Sequence, residues 1–243
     1  MVERPELANI HNGAFRRTHF FWVRHAPVRE DGGRIYGQRD LSCDCSDGNV
    51  FVALARVLPR DAVWVASNLR RTHETARAIW AADRNKFAGV RFEEIAALAE
   101  QDLGDWQGLD RAEFFAKRKP TPGSFWFAPA DERAPGGESF ADLLARVRAA
   151  VAALTEKYGG RDVIAVAHGG TIRAAIAIAL DLTARAGLAF ATDNCAITQL
   201  DFYAGDGAQG WRIVSINHEP WEGLAEAQPA GPEIARPEQH KLA

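Results

Sequence analysis

The chain has 243 residues, 47% of them hydrophobic, which is enough for one sizeable core in one large domain or two small ones. A net charge of −3 gives no global field that would draw nucleic acid or an anionic membrane surface. Three cysteines make no disulfide framework, no apolar run is long enough to span a bilayer, and Met1 to Glu6 is charged and lacks a secretory apolar core. The expectation is a cytoplasmic protein with no membrane or nucleic-acid partner. Its oligomeric state is open, a homodimer among the options.

Residues 1–16 are polar and without period, which predicts a tail. Thr18 to Val23 is apolar and aromatic, reads as a buried strand, and ends on Arg24-His25. The stretch Pro27 to Asp40, with Gly32, Gly33, Gly37 and three arginines, is too long and too basic for a simple connector. Cys43-Asp44-Cys45 has one residue between its thiols where a zinc ribbon usually has two, so these read as reduced, incidental thiols. Ser46-Asp47 is placed to cap a helix over Gly48 to Leu58, with Val50, Phe51, Leu54, Val57 and Leu58 at helical spacing and Pro59 beyond.

Ala62 to Ala66 is a second short strand, and Ser67 to Thr72 leads into a helix through Trp80. Val90 to Ile95 alternates like a strand. Leu98 to Gly108 is a turn-rich loop, and Asp110 can cap a short helix through Lys117. Residues 119–137 are rich in proline and glycine around Phe125-Trp126-Phe127, a loop that can act as a partial lid or simply plug the core. Glu138-Ser139 opens a long helix to Tyr158, stopped by Gly159-Gly160. Asp162 to Ala167 is another apolar strand, ending on His168-Gly169-Gly170-Thr171, with a helix over Thr171 to Leu180 and a shorter one over Thr183 to Leu188. Cys195 to Phe202 and Trp211 to Ile216 read as a terminal hairpin, and the chain from Glu219 onward reads as a disordered tail.

Strands alternate with helices and the last two strands form a hairpin. That order predicts an α/β/α three-layer sandwich with a mostly parallel central sheet and one antiparallel edge strand, over residues 17–218. Ligands in such sheets bind at the carboxyl ends of strands. Two strands here end in histidine, with arginines nearby, which suggests an anion site that contains a nucleophile.

Four pieces stand out: Arg24-His25, Ser67-x-x-x-Arg71-Thr72, Leu98-Ala99-Glu100 ahead of Gly104-Asp105-Trp106-Gln107-Gly108, and His168-Gly169-Gly170-Thr171. In this order they resemble the histidine phosphatase superfamily, whose branches include phosphoglycerate mutases and many phosphatases. The resemblance runs from about Arg17 to Ile216 and implies a role for each piece. His25 would be the nucleophile that takes the phosphoryl group, since a neutral imidazole attacks without first losing a proton. Arg24 and Arg71 would grip the non-bridging oxygens with their planar forks. His168 would be a third donor, and Gly169-Gly170 would let a helix N-terminus approach the phosphate. Glu100 would protonate the leaving oxygen and then activate water, which at neutral pH calls for a raised pKa. No cofactor or metal is implied, and no His-x-x-x-His or His-Glu-x-x-His pattern is present.

Rival residues accompany these. The family's arginine follows the serine by four, which selects Arg71 over Arg70; the latter reads as a solvated residue or salt-bridge partner. The Leu-x-Glu placement favours Glu100 over Asp102 as the acid. His73 reads as a packing or rim residue, Glu138 as either a pocket residue or a helix-dipole partner, and His218 is unassigned. Two positions depart from the family pattern: Ala26 stands where glycine is usual, and Leu41-Ser42-Cys43-Asp44-Cys45 stands where the first helix usually starts. The segments Arg24 to Val28 and Ile35 to Leu41 look like the alpha-ribazole phosphatase branch. The span between Glu100 and His168 is shorter than in the mutases, which suggests hydrolysis rather than transfer. The expected function is metal-independent hydrolysis of a small phosphorylated metabolite, with Tyr36, Gln38, Phe125 and Trp126 as substrate contacts. The alternatives are a mutase-type phosphotransferase and a non-catalytic phosphate-binding module.

Overall fold

The computed structural model describes residues 15–118, 126–205 and 207–222. Six strands form one sheet: β1 (Arg16–Arg24), β2 (Val63–Ala66), β3 (Phe92–Glu94), β4 (Asp162–Ala167), β5 (Ile197–Gly205) and β6 (Ala208–His218), in the order β3-β2-β4-β1-β5-β6. The pairings β3-β2, β2-β4 and β4-β1 are parallel, whereas β5 runs antiparallel to both β1 and β6. The strand that opposes the others is therefore β5, and β6 forms the edge beyond it.

The central strands are apolar over Phe20 to Val23 and Val163 to Ala167 because both of their faces are covered there, and the side-chain period of two divides these residues between two cores. Phe20, Trp22, Val163, Ala165 and Ala167 face one cluster, packed with α4 (Phe140–Lys157) and α5 (Gly169–Ala179) through Leu143, Val147, Val151, Ile172 and Ile176. Val23, Ile164 and Val166 face the other, packed with α1 (Gly48–Val57) and α2 (Arg70–Ala82) through Phe51, Leu54, Ala76 and Ile79. These are the three layers the element order predicts.

Local signals set the helix ends. Asp47 caps α1 by accepting from Asn49 N–H, and Asp110 caps α3 (Arg111–Ala116) by accepting from Glu113 N–H. Ser139 and Asp142 close a reciprocal capping box at the start of α4. Three expectations shift. Val57 is exposed rather than on the apolar face of α1. Helix α5 starts at Gly169, two residues before the expected Thr171, because both glycines take helical geometry directly off β4. Trp221 packs against the α1/α2 cluster, so the chain remains ordered past the expected tail start at Glu219. The remainder of both expected tails, residues 119–125 and therefore Phe125, lie outside the described residues.

Candidate active site

The site lies where the sheet order changes direction, at the carboxyl ends of β1 and β4. Strand β1 delivers Arg24 and then His25, and β4 delivers His168 into the N-terminus of α5. Backbone pairing locks the two ends together, since His25 N–H donates to Ala167 O at 3.0 Å. The two imidazole centroids are 5.2 Å apart.

His25 is buried, and its Nδ1 lies 2.7 Å from Ala26 O. A carbonyl can only accept, so Nδ1 carries the proton and Nε2 keeps its lone pair. Burial, then the charges of Arg71 and Arg24, push the His25 pKa well below the ordinary histidine value. His25 is thus held neutral in a single tautomer with a basic Nε2. Asn194 Nδ2 donates to His25 O at 2.7 Å and fixes the same residue from the other side.

Arg71, at the start of α2, is fully buried. Its Nη1 and Nη2 donate to Arg39 O and Gly37 O at 2.8 and 2.7 Å, and its Nε donates to His168 Nδ1 at 3.2 Å. Because Nδ1 accepts, the neutral His168 ring carries its proton on Nε2, 2.7 Å from Ser67 Oγ. The length of the Pro27–Asp40 loop is explained by these contacts, since two of its carbonyls aim the Arg71 fork. His168 is placed otherwise than as a free third donor. Both of its nitrogens are engaged, and a proton on Nδ1 would have to replace the Arg71 contact. Burial, then the nearby cations, push its pKa well below the ordinary value.

Arg24 donates through Nη1 to Thr192 O at 2.6 Å, while its buried Nε has no partner among the described residues. Thr192 Oγ1 is likewise buried and unpaired among them. Both lie beside Gly169, where a Cβ would sit 3.4 Å from Thr192 Oγ1 and 3.5 Å from Arg24 Nε. Arg173, one turn along α5, reaches the same spot: its Nη1 would be 3.3 Å from that Cβ. Its guanidinium stacks 4.9 Å from the Trp126 ring centroid, and burial pushes its pKa down to about 10. No motif in the sequence singles out Arg173. The signal it does carry is its position, four residues past Gly169 on one helical face.

Glu100 is buried beside the N-terminus of α5, where Gly170 N–H donates to its two oxygens at 3.1 and 3.2 Å. A Cβ on Gly170 would overlap Glu100 Oε1, so glycine is required there for close approach. Glu138 and Arg146 pair through both ends of the guanidinium at 2.8 Å each, and Arg146 also donates to Ala97 O at 2.7 Å and Glu100 O at 3.3 Å. Glu138 therefore positions the Glu100 segment instead of facing the pocket or serving the dipole. Gln38 does similar work, with Nε2 donating to Glu100 O at 2.8 Å.

A cavity of about 300 Å³ opens onto this centre, lined by Arg24, Tyr36, Gly37, Glu100, Trp126, Phe127 and Asn194, with the Asp31–Arg111 ion pair at its rim. That size suits a small metabolite. Trp126 is fastened by Nε1 donating to Gln101 Oε1 at 2.6 Å. Tyr36 and Trp126 thus face the cavity, whereas Gln38 does not line it. The rivals fall away from the centre. Asp102 accepts from Gly104 N–H in a turn, and Arg70 pairs with Glu74. His73 donates to Ser67 O and stacks on Phe92, and His218 is exposed at the end of β6.

The chain is similar to known phosphatases. A glucosyl-3-phosphoglycerate phosphatase of Mycobacterium tuberculosis is 34% identical over 172 residues, covering 65% of this chain and 74% of that protein. A metal-independent phosphoserine phosphatase of Arabidopsis thaliana is 32% identical over 162 residues, covering 65% of this chain and 66% of its own. The native structure of a mycobacterial glucosyl-3-phosphoglycerate phosphatase superposes with a TM-score of 0.68 at 31% identity, over 84% of this chain and 99% of the other. The family model for the histidine phosphatase superfamily (branch 1) matches residues 20–219, a span that takes in every residue of the centre described above, and the chain belongs to that superfamily.

Proposed function

We propose that the protein is a phosphatase that hydrolyses a small phosphomonoester through a phosphohistidine at His25. The observation that carries this reading is the state of His25: buried, neutral, and protonated on Nδ1 through Ala26 O, so that Nε2 is the nucleophilic nitrogen. Arg71 and Arg24 act on His25, and Arg173 lies beside Arg24, a cationic surplus over Glu100 that matches a phosphate dianion. In the first step Nε2 attacks phosphorus, the P–O bond to the alcohol breaks, and Glu100 gives the leaving oxygen its proton. In the second, Glu100 takes a proton from water, the oxygen attacks phosphorus and the P–N bond breaks. His168 holds Arg71 in line through Nδ1.

Two substrate classes are in view. The names of the similar proteins support a phosphoglycerate-type ester. The segments Arg24 to Val28 and Ile35 to Leu41 support alpha-ribazole 5′-phosphate by their resemblance to that branch. The test is phosphate release, with a chelator present, from a panel holding 3-phosphoglycerate, phosphoserine, a glycosylated phosphoglycerate, alpha-ribazole phosphate and an aryl phosphate. Release that persists with chelator and disappears in His25→Ala supports the reading. Transfer of phosphate between glycerate positions without release favours a mutase, and binding without turnover favours a non-catalytic module.

A further inference from the structure

Cys43 and Cys45 have no part in the phosphatase chemistry proposed above, yet in the fold they are not incidental. Their sulfurs lie 3.6 Å apart and both side chains are partly exposed. Cys43 Sγ–H donates to Arg71 O at 3.3 Å and lies 3.6 Å from Thr75 Oγ1. Thr75 in turn accepts from Ala26 N–H and donates to Arg71 O, at 2.8 and 2.7 Å. Cys43 N–H donates to Glu74 Oε2 at 2.9 Å, and Asp44 N–H donates to Pro27 O at 2.7 Å. One short segment therefore ties the first turn of α2, which carries Arg71, to Ala26 and Pro27, the two residues that follow His25. Among the described residues no group of three His, Cys, Asp or Glu side chains is placed to hold a metal ion, so the pair is read by its thiol chemistry.

We infer that Cys43 and Cys45 form a peroxide-reactive dithiol whose oxidation to a disulfide weakens anion binding at Arg71. Cys43 is the attacking thiol. The Cys45 hydrogen bond lowers its pKa and Thr75 adds to that shift, while burial and the Glu74 carboxylate oppose it. The Cys45 thiol is pushed the other way, first by its hydrogen bond to Cys43 and then by burial, and so remains protonated as the resolving partner. In the first step the Cys43 thiolate attacks one oxygen of hydrogen peroxide. The O–O bond breaks, and Cys43 sulfenic acid and one water result. In the second, the Cys45 sulfur attacks the sulfenic sulfur, the S–S bond forms, the S–O bond breaks and a second water leaves. Two thiols are oxidised by two electrons and one peroxide is reduced to two waters.

Closing 3.6 Å to the roughly 2.0 Å of an S–S bond draws Cys43 off Arg71 O and shifts the segment after Gly37 and Arg39, whose carbonyls aim the guanidinium. The site itself rests on sulfur geometry, whereas its effect rests on the reading that Arg71 binds the phosphoryl group.

The full chain, reduced, is first titrated with inorganic phosphate by calorimetry. No binding at that stage overturns the anion-site reading before peroxide is used. The protein is then treated with hydrogen peroxide, unfolded, alkylated and mapped by mass spectrometry, and the phosphate titration is repeated. The expected result is a Cys43–Cys45 disulfide with Cys195 still alkylated. Phosphate affinity should fall about 10-fold or more, the scale of one lost charge-assisted hydrogen bond, and recover with dithiothreitol. Cys45→Ser should bind phosphate like the wild type when reduced and stop at a dimedone-reactive sulfenic acid on Cys43. A Cys43 that stays alkylatable throughout, or a disulfide that leaves phosphate affinity unchanged, overturns the inference.

Discussion

His25 and Glu100 are each held by a backbone contact, the His25 Nδ1–H on Ala26 O and the Glu100 carboxylate on Gly170 N–H. Gly170 is the sharpest case. Its missing Cβ leaves room for the Glu100 carboxylate, the mobile end of a side chain that can swing away. Gly170→Ala should therefore move Glu100 without unfolding the protein. We expect kcat to fall about 100-fold or more, the scale of general acid–base catalysis, while the thermal midpoint shifts by only a few degrees. Steady-state kinetics beside a melting curve check this, and a collapse of the midpoint with retained kcat would contradict it. The two histidines add a pH effect. Both are neutral in the folded chain because burial lowers their pKa, and each regains its ordinary value near 6.5 on unfolding. The unfolded state then binds more protons as pH falls below about 6.5, so stability is full above that pH and drops below it. The slope approaches about 1.4 kcal/mol per pH unit for each histidine. Denaturant titrations at pH 7.5, 6.5 and 5.5 should show the decline, and a His25→Asn, His168→Asn double variant should flatten it.

At the scale of the element, sequence signals and tertiary contacts divide the work. The capping box at Ser139 was legible as a Ser at the head of an apolar periodic stretch, and Ser139→Ala should cost about 1 kcal/mol in denaturant unfolding. The start of α5 was legible only to within two residues, because the poor helix propensity of glycine counts against placing Gly169 and Gly170 inside the helix. Tertiary contact overrides that preference: Glu100 takes the Gly170 N–H, and a Cβ at that position would displace its carboxylate. The Glu138–Arg146 clamp was equally hidden. The two residues stand eight apart in the sequence, yet only the fold brings Ala97 O and Glu100 O to the same guanidinium. Lysine cannot reproduce that fork. Arg146→Lys should lower kcat by up to about 100-fold through a small displacement of Glu100, with phosphate affinity kept because Arg24 and Arg71 are untouched. A loss of phosphate affinity equal to the loss of kcat would remove the positioning role.

Over the whole molecule, what was legible is what the backbone period and the strand ends dictate. The alternation of strands with helices gave the layers, and the strand-terminal Arg24, His25 and His168 gave the site's address. Residues that reach the site from a loop with no period of its own, Asn194 and Thr192 before β5, carried no such signal. Their placement depends on β5 closing against β1, a pairing between segments far apart in the chain. The same layers make the scaffold sensitive at its centre. Ile176, fully buried against the sheet, should cost about 2–5 kcal/mol on truncation to alanine with kcat unchanged in the folded fraction.

The proposed chemistry stands or falls on whether His25 Nε2 takes the phosphoryl group, and trapping the phosphoenzyme decides it. The protein is mixed with a ³²P-labelled phosphomonoester that it turns over, quenched with alkali within the first turnover, digested and mapped. A phosphohistidine mechanism predicts a label on the His25 peptide that is stable in base and released in mild acid, as a P–N bond requires, and that is absent from His25→Ala. Turnover at full rate with no labelled histidine, or a label carried on another residue, would contradict it.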